Sequence, residues 1–63
     1  YRLVIFDSKQ NKVFETNDKN KAWDGTNFLS GEQCPEGMYL YYLEYKIGQN
    51  APSTRQGMIN LVR

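Results

Sequence analysis

The chain has 63 residues, eight basic and seven acidic side chains for a net charge of +1, one cysteine and no histidine. That length bounds it to a single domain, and the near-neutral balance without a Lys/Arg stripe excludes the electrostatic footprint of a nucleic-acid binder. Without histidine no Ser-His-Asp or Cys-His nucleophile exists within the chain, one cysteine makes neither an intrachain disulfide nor a zinc site, and no apolar run approaches the ~20 residues of a membrane-spanning helix.

The sequence begins inside an apolar run, Tyr1-Arg2-Leu3-Val4-Ile5-Phe6, with no initiating Met, and is expected to continue upstream in its parent. Residues 2–6 are β-branched and aromatic, which predicts a strand. Residues 12–16 alternate, with Val13 and Glu15 on one side and Lys12, Phe14 and Thr16 on the other, and the polar stretch between the two runs has the composition of a hairpin loop. An antiparallel pair is expected. Residues 17–22 are polar apart from Ala22 and show no periodicity, so they read as a mobile surface loop. Trp23-Asp24-Gly25-Thr26 predicts a turn, because glycine takes positive φ without steric cost.

Residues 38–46 carry the strongest strand signal, with Tyr39, Tyr41, Leu43 and Tyr45 on one face and Met38, Leu40, Tyr42, Glu44 and Lys46 on the other. Large groups on both faces predict an inner strand of a small sandwich. A second hairpin passes through residues 48–53, with Pro52 barring a ladder position, into a last strand over residues 54–63. In it Gly57, Ile59 and Leu61 lie opposite Met58, Asn60 and Val62. No helical period of useful length occurs, so the expected fold is all-β, an antiparallel sandwich with Ile5, Phe14, Trp23, Tyr39, Tyr41 and Leu43 as its core.

Trp23 reads first as the plug of that core, since a buried indole supplies unusual apolar area; the alternative is a carbohydrate platform assisted by Tyr39, Tyr41, Tyr45 and the Asp24 carboxylate. The carboxylates Asp7, Glu15, Asp18, Asp24, Glu32, Glu36 and Glu44 are scattered without an acid/base spacing, so no catalytic residue is assigned and the chain is not read as an enzyme. Cys34 reads as a small buried hydrophobe at a strand entry. Asn17, Asp18 and Asn20 lack the glycine and distal glutamate of an EF-hand, so neither a metal nor a cofactor is expected. The last strand, Gly57-Met58-Ile59-Asn60-Leu61-Val62-Arg63, offers backbone groups to a partner if it lies at a sheet edge.

Ile5-Phe6-Asp7, Asn11-Lys12-Val13-Phe14-Glu15-Thr16, Trp23-Asp24-Gly25-Thr26, Gly31, Pro35-Glu36-Gly37-Met38-Tyr39-Leu40-Tyr41 and the last strand resemble, in order and spacing, the gliding motility-associated C-terminal domain. That family is the type B sorting domain of the type IX secretion system of gliding and related Gram-negative bacteria. The resemblance covers nearly the whole chain. It implies an Ig-like sandwich, residues 1–63 forming one C-terminal sorting domain that is partial at its N-terminal side and lacks its first strands. It also implies an export address on a large secreted or surface protein, often an adhesin, at the outer face of the outer membrane. The implied partners are the type IX translocon and an outer-membrane β-barrel shuttle protein, and the implied contact residues are Gly57, Met58, Ile59, Asn60, Leu61, Val62 and Arg63. Trp-Asp-Gly with Pro-x-Gly-x-Tyr also occurs in Ig-like domains of flagellar hook-capping proteins, so a passive spacer is the remaining alternative. The chain departs from the family at Ser8-Lys9-Gln10, where Arg-Trp-Gly is usual, and without that glycine the turn is expected to place Asn11 at positive φ.

Overall fold

The computed structural model of the chain describes residues 1–62; Arg63, assigned above to the last strand, lies outside the described residues. Four strands form, β1 (Arg2–Phe6), β2 (Lys12–Thr16), β3 (Gly37–Tyr45) and β4 (Ser53–Leu61). All pair antiparallel in one sheet of order β2-β1-β3-β4, and there is no helix among the described residues. The all-β expectation holds, and β3 is an inner strand as its two bulky faces foretold. Both long strands begin one residue earlier than the pattern indicated, and β4 ends at Leu61. Pro52 stops short of β4, where its missing N–H costs no ladder bond. One sheet, rather than two facing ones, is consistent with a fragment of a small Ig-like sandwich.

The registers put Leu3, Ile5, Phe14, Tyr39, Tyr41, Leu43 and Ile59 on one face, because side chains of directly paired residues share a face. On it Ile5, Val13, Phe14, Cys34 and Tyr39 are buried, and Leu3, Trp23, Tyr41, Ile59 and Leu61 pack against them half-buried. Each fully buried aliphatic side chain contributes on the order of 1.5–3 kcal/mol. Leu43, on the same face, is half-buried.

Val13 corrects the simple alternation. Ile5 faces Phe14 while the next residue, Phe6, faces Lys12, so Val13 is the extra residue of a β-bulge. A bulge brings two successive side chains towards one face, and Val13 joins Phe14 in the core instead of opposing it.

The first turn corrects a second expectation. Positive φ falls on Gln10, at 68°, and not on Asn11. The Gln10 N–H donates to the Asp7 carbonyl at 3.0 Å, and the Asp7 N–H donates to the Asn11 carbonyl at 2.9 Å, which makes a type I turn followed by one left-handed residue. Asp7 holds it in place. Its Oδ1 accepts the N–H groups of Lys9 and Asn11 at 2.9 and 2.8 Å, and its Oδ2 accepts the Asn11 side-chain amide. The left-handed position coincides with the glycine usual in the family that the chain resembles.

Residues 17–36 form the second layer over the core face. The turn at their start is exposed and capped by Asp18, whose Oδ1 accepts the Asn20 N–H at 2.9 Å. Beyond it, Thr26 bridges Gln33 across a tight loop in which the Asn27 side chain accepts the N–H groups of Leu29 and Ser30. The Cys34 N–H closes this loop onto the Gly25 carbonyl at 2.8 Å, with Gly25 at φ 85°.

Replacing Gln10 by glycine removes a left-handed conformation that costs an L-residue about 1–2 kcal/mol, against a glycine entropy cost of about 0.5–1 kcal/mol. Gln10→Gly is therefore expected to raise the urea midpoint, with a gain of about 0.5–1 kcal/mol at unchanged slope; an unchanged or lower midpoint contradicts this account of the turn.

Candidate functional site: the last strand and the groove beside it

The two edges of the sheet differ. β2 is five residues long, and at its bulge the Val13 carbonyl accepts the Phe28 N–H at 2.9 Å, with the Phe28 ring edge-on to Phe14 at 6.4 Å. Loop backbone therefore occupies that edge. β4 is nine residues long and has a strand neighbour, β3, on one side only among the described residues. Edges of this kind, long and without proline or bulge, are where another strand adds.

Along this strand Ile59 and Leu61 turn towards the core, whereas Met58, Asn60 and Val62 are exposed. Gly57 is required by its neighbour. A Cβ there would lie 2.7 Å from Cε2 and 2.9 Å from the hydroxyl oxygen of Tyr41, the residue it faces across the ladder, so the phenol ring lies over the glycine. The missing side chain is what allows Tyr41 to pack flat across β4.

Trp23 is half-buried, with its ring edge-to-face on Tyr39 at 5.0 Å and 61°. Its indole N–H donates to the Thr26 carbonyl at 2.8 Å, and the Tyr39 hydroxyl donates to the Pro35 carbonyl at 2.6 Å. Both polar ends of the pair are engaged, which suits a packed aromatic pair rather than a flat, open platform for a sugar ring. Tyr45, the other proposed platform member, accepts a hydrogen bond from the Arg55 guanidinium at 3.3 Å.

Next to Trp23 opens a groove of about 350 Å³. Leu3, Ile5 and Ile59 line its apolar base, and Lys19 and Lys21 stand in the loop beside it. A second cleft of about 490 Å³ lies between the first turn and residues 27–39. It is lined by Asp7, Glu32 and Glu36 among mostly polar groups. Among the described residues no three His, Cys, Asp or Glu side chains are grouped to hold a metal.

The carboxylates with shifted ionisation serve turns and the sheet surface. Hydrogen bonds from the Asn11 and Lys9 backbone hold Asp7 below the ordinary carboxylate value. The Thr26 hydroxyl and N–H do the same for Asp24, and Lys12 and Arg2, each 2.8 Å away, do so for Glu15. None of the three pairs with a second carboxylate in the manner of an acid and its base.

Thus the structure brings Gly57, Ile59 and Leu61 of the proposed contact strand to the core side and Met58, Asn60 and Val62 to the surface, while Arg63 is outside the described residues. Of the proposed core, Ile5, Phe14 and Tyr39 are buried, and Trp23, Tyr41 and Leu43 are half-buried. The sequence pattern missed Lys19 and Lys21, which sit in a stretch without periodicity, and the signal available there was only the pair of like charges two residues apart.

A profile of the family described as CHU_C, type IX secretion signal domain, matches residues 1–61. No curated protein and no solved structure matches the chain significantly.

Gly57→Val is expected to displace Tyr41 and destabilise the fold by about 1–3 kcal/mol. In a double-mutant cycle with Tyr41→Ala the two losses should fall short of additivity, and full additivity of the urea midpoints rejects the contact. Because the folded values of Asp7, Asp24 and Glu15 are depressed, their contribution is present above the unfolded carboxylate range near pH 4 and is lost as pH falls through the folded values. Stability should be flat from about pH 5 upward with respect to these groups and decline below about pH 4; chemical denaturation across that range checks it, and a curve that does not fall on acidification counts against the assignment.

Proposed function

The chain belongs to the type IX secretion signal domain family, and from that premise we propose that it is the C-terminal export address of a larger protein, recognised as a folded domain through residues 57–63. Type IX signal domains mark proteins for secretion or for the cell surface. In the proposed mechanism the folded sheet docks reversibly on outer-membrane machinery, the translocon and a β-barrel shuttle protein, at the outer face of a Gram-negative cell. No chemistry is asked of the domain.

The observation that carries this reading is the unequal treatment of the two sheet edges. Loop backbone covers β2 at its bulge, whereas β4 presents nine residues with no strand beyond them among the described residues. An added strand on that edge gains main-chain hydrogen bonds for affinity, while alternate side chains supply specificity. Within residues 57–62 the exposed side chains are Met58, Asn60 and Val62, and Ser53 to Gln56 are exposed before them.

A reporter fused ahead of the chain in a host with a type IX system is expected to be exported, and deletion of residues 57–63 to abolish export. Because that deletion also removes half of a core strand, a second variant, Asn60→Asp with Val62→Asp, alters exposed positions only. It should keep the far-UV circular dichroism of the parent and lower export at least about tenfold, the loss expected from roughly 1.4 kcal/mol of binding. Export of both variants at the parental level defeats the strand's role.

A further inference from the structure

The groove beside Trp23 opens on the core face, next to β4 rather than along its free edge. Its base is aliphatic, from Leu3 and Ile5 of β1 and Ile59 of β4, and its wall is the half-buried Trp23 ring, whose one donor is already engaged by Thr26. Tyr1 and Asn20 also line the pocket, and its base suits an apolar group. The charge beside it has one sign. Lys19 and Lys21 line it, no carboxylate does, and neither ammonium makes a hydrogen bond or ion pair among the described residues. The two carboxylates that flank this loop in sequence have other duties. Asp18 caps the turn through the Asn20 N–H, and Asp24 is held by Thr26 while sensing Lys21 only through space.

We propose that this groove binds a protein segment in which one large apolar side chain is flanked by carboxylates: the apolar group enters between Leu3, Ile59 and Trp23, and the acids meet Lys19 and Lys21. Charge complementarity selects the occupant. A basic segment is repelled by the two lysines and a neutral one lacks the charge that pairs with them. Ile59 is shared between the groove and β4, so a segment seated here lies next to the strand proposed for recognition. The inference rests on the reading of the chain as a partner-recognised signal and names the chemistry of that partner.

Trp23 is the only tryptophan and reports on the groove it lines. With the chain fused to a tryptophan-free carrier, a capped peptide of four glutamates around one phenylalanine is titrated at low salt. A saturable change in Trp23 emission is expected. The exposed double variant Lys19→Glu with Lys21→Glu should weaken binding about tenfold, and salt well above 0.1 M should weaken it in the parent, since exposed pairs are individually weak and screened. No saturable change, equal affinity in the double variant, or equal affinity for the lysine counterpart of the peptide overturns the inference. Export of the same fusions separates the two readings. Parental export retained by the double variant, with export lost on deletion of residues 57–63, removes the groove and leaves the signal standing; failure of the unaltered fusion to be exported removes the signal reading, whatever the peptide does.

Discussion

The contact between Trp23 and Tyr39 holds the second layer of this domain onto its sheet. Tyr39 sits on the central strand β3, and Trp23 on the long connection. Each ring has a polar end tied to backbone of the connection, at Thr26 and Pro35, so the pair fastens it at two points while its apolar bodies join the core cluster of Ile5 and Phe14. A domain of this size buries only about 60% of its unfolded surface, so a loop that is both hydrogen-bonded within itself and packed through aromatic rings substitutes for a second layer of regular structure.

The same connection accounts for the difference between the edges. By reaching the Val13 carbonyl through the Phe28 N–H it covers β2 where the bulge has already interrupted regular pairing. It meets β4 on the core face, at the groove that Ile59 shares with Trp23, while the far edge of β4 has no strand beside it among the described residues. Tyr41 lies on Gly57 and packs against this strand at its middle, and the edge runs for nine residues in unbroken register with β3. Over the opposite face of the sheet a row of Phe6, Leu40 and Met58 runs across three paired strands, and Met58 is 57% exposed. That face also carries the buried Val4 and the Arg2–Glu15 ion pair, so it is mixed in character, and a single sheet covered by a loop on its other face is consistent with a fragment of a sandwich.

The strands were legible in the chain because their period is short and their punctuation strong. The run from Met38 onward alternates bulky groups on both faces, and Pro52 marks where the ladder resumes. What failed was local. Alternation alone places Val13 opposite Phe14, because a bulge depends on how two strands meet, which the pattern within one of them does not reveal. The positive φ was assigned to Asn11, a residue that tolerates it, whereas the hydrogen bonds from Asp7 set the turn one residue earlier and place it on Gln10. The groove was invisible for a related reason: Lys19 and Lys21 are meaningful only beside Leu3, Ile5 and Ile59, which are far from them in sequence.

Fold class, the four strands and the family are written in the chain, since these follow from periodicity, turn residues and the order of short motifs, all of which are properties of neighbours along it. Which edge is covered, which face Val13 joins, and that two lysines border an apolar groove emerge from the packed arrangement. Those are relations between segments separated by many residues, set by strand order and by where a hydrogen-bonded loop comes to rest, and no local pattern encodes them.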